Sequence, residues 1–389
     1  MSGENEESIN PKRRGKIYHA MSFVLRVFLY LFAIVGLVLT AGYFAVRFRL
    51  TNVPGAVDLN NRYFTDMAQK NNDFFRPETA SGTASFAELA LWCKLFAMEK
   101  DSPVDAGRIL VAYRETGSPD LALRMVESAG EHLVTGTPLS DNFSACDTKW
   151  LNVPIATNVS STLTASSSET KSVYPWINTP EWATLSQAIA KDAPMIGRVA
   201  TETGVEPRLI TAQLIGEQLR LYNSERELYK SAFAPLNILG SETQFSLGVA
   251  GIKTETAVAV EKNLTDPFSE YYPGPSYTHL LDFTTRDHDA ERYTRITDEH
   301  NHYYAYLYAA LFIKEVETQW AKAGYDISNR PEIISTLYNL GFAGSHPNAN
   351  PQVGGTVIMI NGTTYTFGSL GYEFYYSGEL EDVIPYEAR

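Results

Sequence analysis

Three short stretches hold side chains able to do chemistry. On a helix opened by Pro207, Ile210, Leu214, Glu217 and Leu221 fall in one narrow sector at 100° per residue, so a carboxylate stands in an apolar stripe. Burial without a partner penalises the ionised form and keeps on the carboxyl the proton that a general acid must deliver. Two other readings stand beside this one: a Glu217 paired with a buried Arg, and a helix rotated to bury Ile215 and Leu219 instead. The second stretch is FSLGVAGIKTETA, where Gly248 and Gly251 allow close backbone approach around Val249 and Ala250 before a helix starting near Thr254. The third is LYNLG, in which Tyr338 offers a stacking face and Asn339 an amide, or simply a helix terminus, ahead of Gly341.

In this order the three stretches resemble the lysozyme-like lytic transglycosylases, over about residues 175–389. The matching segments are GVEPRLITAQLIGEQ (Gly204 to Gln218), LGVAGIKTETA (Leu247 to Ala257) and LYNLG (Leu337 to Gly341). The chain departs from the family pattern at Gln218, where the family has Ser, and at Gly251, where it has Gln and an amide for the sugar chain. The resemblance implies a lysozyme-like α+β domain that takes peptidoglycan glycan strands, with Glu217 catalytic and Gly248, Val249, Ala250, Tyr338 and Asn339 lining the substrate site. It also implies cleavage of the β-1,4 bond between N-acetylmuramic acid and N-acetylglucosamine by one carboxyl group, without cofactor, to give 1,6-anhydro ends. A goose-type muramidase would instead need water and commonly a second acid; Glu225, Glu227, Glu242, Glu255 and Asp282 are available for that role. A glycan-binding or scaffold protein without activity is the non-enzymatic reading.

Tyrosines at 271–277, 303–308 and 372–376 could stack on sugar faces, with Tyr304, Tyr308 and Leu311 at the spacing of core packing. His288, His300 and His302 lie near Asp287, Asp289 and Asp298 without the spacing of a metal motif, in a segment that reads as a solvated loop, so no metal is expected.

The elements that must carry these residues are mainly helical. Thr179-Pro180 opens one helix, a second runs from about Pro194 to Gly204, and Pro207 starts the third, to about Tyr222. His300 to Lys322 and Pro331 to Leu340 follow. Thr356 to Phe367 reads as a small β-hairpin turning at Asn361-Gly362. Residues 158–173 form a Ser/Thr-rich linker, separating this domain, 174–389, from a membrane-proximal helical domain over 47–157. In the latter, Ser102-Pro103 and Ser118-Pro119 open helices and Gly117 stops the first.

Val27 to Val46 is a 20-residue apolar run bracketed by Arg26 and Arg47, long enough to span a bilayer as a signal anchor. Lys12, Arg13, Arg14, Lys16 and Arg26 precede it, so residues 1–26 are expected in the cytoplasm and the rest outside. Cys93 and Cys146 would then sit where a disulfide can form, or Cys93 is a buried thiol. Sequons stand at Asn142, Asn158, Asn263 and Asn361. The 389 residues carry a net charge of −13, which excludes general affinity for nucleic acid because counterion release needs a field of Lys and Arg. Envelope or secretion machinery would be further partners of an exported wall enzyme.

Overall fold

The computed structural model describes residues 11–48, 55–58, 64, 95, 98, 102–130, 132, 171–222 and 246–387. These fall into two units, with 11–48 in one and residues from 55 onward in the other. The described residues of the first form a helix, α1 (Pro11–Arg47). Its stretch Leu25–Phe44 has the length and composition of a membrane span or a signal sequence, and nearly all of its side chains lie uncovered. The apolar run expected from 27 to 46 therefore sits within a longer helix.

Among the described residues the second unit is mainly helical, with three two-stranded ladders. In chain order it holds β1 (Ala56–Val57), α2 (Pro103–Thr116), α3 (Pro119–Gly130), α4 (Pro180–Thr203), α5 (Pro207–Tyr222), β2 (Ser246–Leu247) and β3 (Ile252–Lys253). Then follow α6 (Thr254–Thr265), α7 (His288–Thr297), α8 (Tyr303–Lys322), α9 (Pro331–Leu340), β4 (Gly354–Gly355), β5 (Val357–Ile360), β6 (Thr363–Thr366) and α10 (Phe367–Tyr376). Each ladder is antiparallel: β1 with β4, β2 with β3, and β5 with β6.

Helix ends follow local chemistry. Thr179 Oγ1 accepts the Trp182 N–H at 3.1 Å, Pro180 occupies the first turn, and Gly204 ends α4 with φ 66°. The helix break expected at Pro194 does not occur. Pro194 lacks the N–H of one helical bond, yet Leu185, Ile189, Ala193, Ile196 and Val199 keep one buried stripe through it, and that burial outweighs the missing bond. Asn361 (φ 50°) and Gly362 (φ 78°) form the hairpin turn between β5 and β6 as the Asn-Gly pair dictates.

α5 lies at the centre, packed by α4, α8, α9 and α10. Arg208, fully buried on its first turn, donates to the carbonyls of Phe374 (3.1 Å), Tyr375 (3.3 Å), Glu379 (3.0 Å) and Ile384 (2.8 Å), which ties the C-terminal segment to the core.

The division expected between 47–157 and 174–389 is not where the described residues separate. Asp105 on α2 accepts from Ser172 Oγ (2.8 Å) and the Val173 N–H (2.9 Å), and Arg124 on α3 donates to the Tyr376 hydroxyl at 2.9 Å. β1 completes a ladder with β4, and Thr366 donates to Asp58 at 2.9 Å. A Ser/Thr-rich stretch separates elements in sequence only; buried polar groups that find partners across it join them in space. Cys93, Cys146, Asn142 and Asn158 lie outside the described residues.

Candidate functional site

α5 is buried on both faces: Ile210 and Leu214 on one side and Ile215 and Leu219 on the other are all at most 2% exposed. The choice between the two faces therefore falls away, and Glu217, 4% exposed, is inside either way. It is not alone there. Arg220 Nη2, one turn further on, forms an ion pair with Glu217 Oε2, and the Arg220 side chain is itself 10% exposed. The expectation of a carboxyl buried without a partner is corrected; the paired reading holds, because the i,i+3 spacing places both groups on one side of the helix. Arg220 Nε has no hydrogen-bond partner among the described residues.

β2 and β3 bracket a tight turn, Gly248 to Gly251, closed by the Gly251 N–H onto the Gly248 carbonyl at 3.2 Å. Both glycines have positive φ, 62° and 63°. Gly251 is required twice over, since a Cβ there would stand 2.5 Å from Glu217 Cδ. Where the resemblance implied a missing sugar-binding amide, the glycine makes room for the carboxylate. Gly248 lies so close to the Ile296 carbonyl that a Cβ would overlap it.

Two side chains hold the turn by its carbonyls. Gln218 Nε2 donates to Val249 O at 2.7 Å and the Tyr338 hydroxyl donates to Ala250 O at 2.7 Å. Burial first, and then the negative charge of Glu217, push the Tyr338 hydroxyl well above its ordinary ionisation range, so it stays a donor. The Tyr338 ring lies nearly parallel to Phe367 at 6.4 Å and edge-on to Phe312 at 5.3 Å. Phe367 in turn packs on Gly216, where a Cβ would meet its Cζ at 2.5 Å. Glu217, the 248–251 turn and Tyr338 are thus brought together from three distant stretches. Asn339 turns elsewhere: its Oδ1 accepts from the Thr356 N–H (2.8 Å) and hydroxyl (3.0 Å), fixing the start of the hairpin.

The other tyrosines are mostly structural. Tyr306, Tyr308, Tyr372, Tyr375 and Tyr376 are buried, the Tyr277 hydroxyl donates to Thr203 O at 3.2 Å, and Tyr304 lies under Arg295 at 4.3 Å. The tyrosine-rich segment 372–376 belongs to α10, a helix the sequence reading did not foresee. The segment expected as a solvated loop around His288 begins α7, with Asp287 capping it through the Ala290 N–H at 3.1 Å. Among the described residues no three His, Cys, Asp or Glu side chains gather as a metal site; His302 Nδ1 lies 2.5 Å from Asp192 Oδ2. Of the second acids, Glu255 is exposed on the first turn of α6 and Asp282 lies 2.9 Å from His279 Nδ1. Glu225, Glu227 and Glu242 lie outside the described residues. Sequence reasoning missed Arg220 and Gln218 as members of the site; helical spacing from Glu217 was the signal for the first.

No family model matches the chain, and no curated protein or solved structure matches it.

Proposed function

We propose that this chain is a membrane-anchored, extracytoplasmic lytic transglycosylase of lysozyme-like fold, with its N-terminus in the cytoplasm and peptidoglycan glycan strands as substrate. One observation carries the reading: Gly251 abuts Glu217 and Tyr338 bonds the same turn, so the three stretches that resemble the family meet at one carboxylate. In this reading Glu217 protonates the leaving glycosidic oxygen. As an anion it then accepts the proton of the muramoyl 6-hydroxyl while that oxygen attacks the anomeric carbon, closing a 1,6-anhydro ring without water. Residues 27–46 hold the protein in the bilayer, and envelope or secretion machinery would be its neighbours there.

The test is digestion of purified sacculi by the full chain in detergent, with mass spectrometry of the products. Anhydro-muropeptides from the parent and none from Glu217→Gln are expected; no anhydro products from the parent under any condition removes the proposal. Reducing ends would point to a goose-type muramidase. The ion pair of Glu217 with Arg220 favours one further reading, glycan binding without cleavage, because a carboxylate engaged by a cation has to gain a proton before it can act as an acid. Sacculus binding that is equal in parent and Glu217→Gln, with no cleavage by either, would support it.

A further inference from the structure

β5 is apolar on both of its faces. Ile358 and Ile360 are buried in the core, while Val357 and Met359, alternating with them, are exposed, Met359 to 63%. A strand with water on one side alternates apolar with polar residues, and an unbroken run such as VIMI belongs to a strand covered on both. Two more exposed apolar side chains stand on the neighbouring backbone. Val57, 58% exposed, lies on β1 beside β4, and Leu340 Cδ2 lies 3.2 Å from where a Cβ on Gly55 would stand. The stretch around them is free of charge. Residues 333–372 hold no Asp, Glu, Lys or Arg in a chain of net charge −13, and Asp58, next to Val57, is buried and accepts the Thr366 hydroxyl.

We propose that this uncharged apolar face, formed by Val357 and Met359 with Val57 and Leu340, docks on the surface of the lipid bilayer that anchors the chain. The inference rests on the membrane-anchor part of the reading above and not on its chemistry. Only residues 47–54 separate the apolar run ending at Val46 from Gly55, and eight residues of fully extended chain reach at most about 30 Å. The covalent chain alone therefore keeps β1 near the lipid headgroups, together with the apolar side chains around it. An uncharged face enters the headgroup boundary without stripping water from ions and without repulsion from anionic lipid. All four residues of β5 are paired with β6, which limits the N–H and C=O groups that lose water on docking. Asn339 accepts from the Thr356 N–H just ahead of β5 and so links the docked hairpin to α9, which carries Tyr338. Docking fixes the orientation of the candidate site toward the bilayer.

The experiment uses the full chain reconstituted into phosphatidylcholine vesicles with a photoreactive benzoylphenylalanine at one position, irradiated and read by mass spectrometry. Met359→benzoylphenylalanine is expected to give lipid adducts. Phe268→benzoylphenylalanine, at an exposed aromatic side chain beyond α6 and outside this face, is expected to give few. Adding Val357→Asp, on the same face two residues away, should abolish the adduct at 359, because a carboxylate has to be dehydrated to enter the interface. No lipid adduct at 359, or equal yields at 359 and 268, overturns the inference. So does an adduct that persists beside Val357→Asp, which would show nearness imposed by the tether without docking, and so do cross-links from 359 to a second copy of the chain. If Val357→Asp does not fold, Val357→Thr takes its place, since Thr keeps the shape and suits a strand. Loss of adduct is then expected, and an unchanged yield overturns the inference. Alkali-resistant flotation of the parent with the vesicles separates the two readings. A chain that floats but yields no adduct at 359 keeps its anchor and loses the docking, and one that does not float loses both.

Discussion

Glu315, on the inward face of α8, is fully buried, and burial pushes its carboxyl from the ordinary 4.5 up to about 9, opposed only by the hydrogen bond from Asn263 Nδ2 at 3.0 Å. Its other oxygen, Oε1, has no partner among the described residues. The folded protein at pH 7 thus carries a neutral acid where the unfolded chain carries a carboxylate, and folding must take up a proton. A carboxyl raised in this way leaves stability intact below the unfolded value near 4.5 and erodes it as the pH rises toward about 9. Between 4.5 and 7 the loss accumulates at about 1.4 kcal/mol per pH unit, or about 3 kcal/mol at neutrality. Glu315→Gln keeps the shape and can accept the Asn263 bond with its amide oxygen, but has no proton to take up. Chemical unfolding of parent and variant across pH 4.5 to 9 should give nearly equal stabilities at the acidic end, with the variant pulling ahead by about 3 kcal/mol at pH 7. A difference that stays flat over this range would show that Glu315 is ionised in the folded protein and would refute the reasoning.

Gly251→Ala places a side chain at φ 63° and into the Glu217 carboxyl; the backbone alone costs about 1–2 kcal/mol. Lower stability in urea and loss of sacculus cleavage are expected together, and an unchanged variant would dissociate the turn from the carboxylate. Arg208→Ala strips four buried carbonyls of their donor and should destabilise by at least about 3 kcal/mol. Limited proteolysis should then cut near Val383 first, and resistance equal to the parent's would show that the clamp does not hold the C-terminal segment. Thr179→Ala removes the α4 cap and should cost about 1 kcal/mol in the same urea titration, with no change indicating that the Trp182 N–H finds another acceptor.

Much of the secondary structure was legible because its determinants are local. Thr179-Pro180, Gly204, Gly341 and Asn361-Gly362 each act through the φ values and hydrogen bonds of a few neighbouring residues, and each sits at the end or turn it predicts. α10 was not legible. Its sequence FGSLGYEFYY holds two glycines that read locally as helix breakers. They are tolerated because α9 presses against them: a Cβ at Gly368 would stand 2.7 Å from Glu332 O, and one at Gly371 would stand 2.6 Å from Ser335 Cβ. Pro194 misled in the same way, as a local breaker overruled by a buried stripe.

Glu217 shows the division within a single residue. Its place in an apolar helix beside Ile210 and Leu214, a stretch long and apolar enough to cross a membrane, and the order of the three candidate stretches are properties of the chain alone. That Arg220 rather than solvent or nothing meets the carboxylate, that Gly251 yields it space, and that Tyr338 reaches the turn while Asn339 does not were decided by folding. The physical reason is range. Backbone preferences are set within one or two turns of chain, whereas the environment of a buried charge depends on groups that only tertiary packing brings within contact distance.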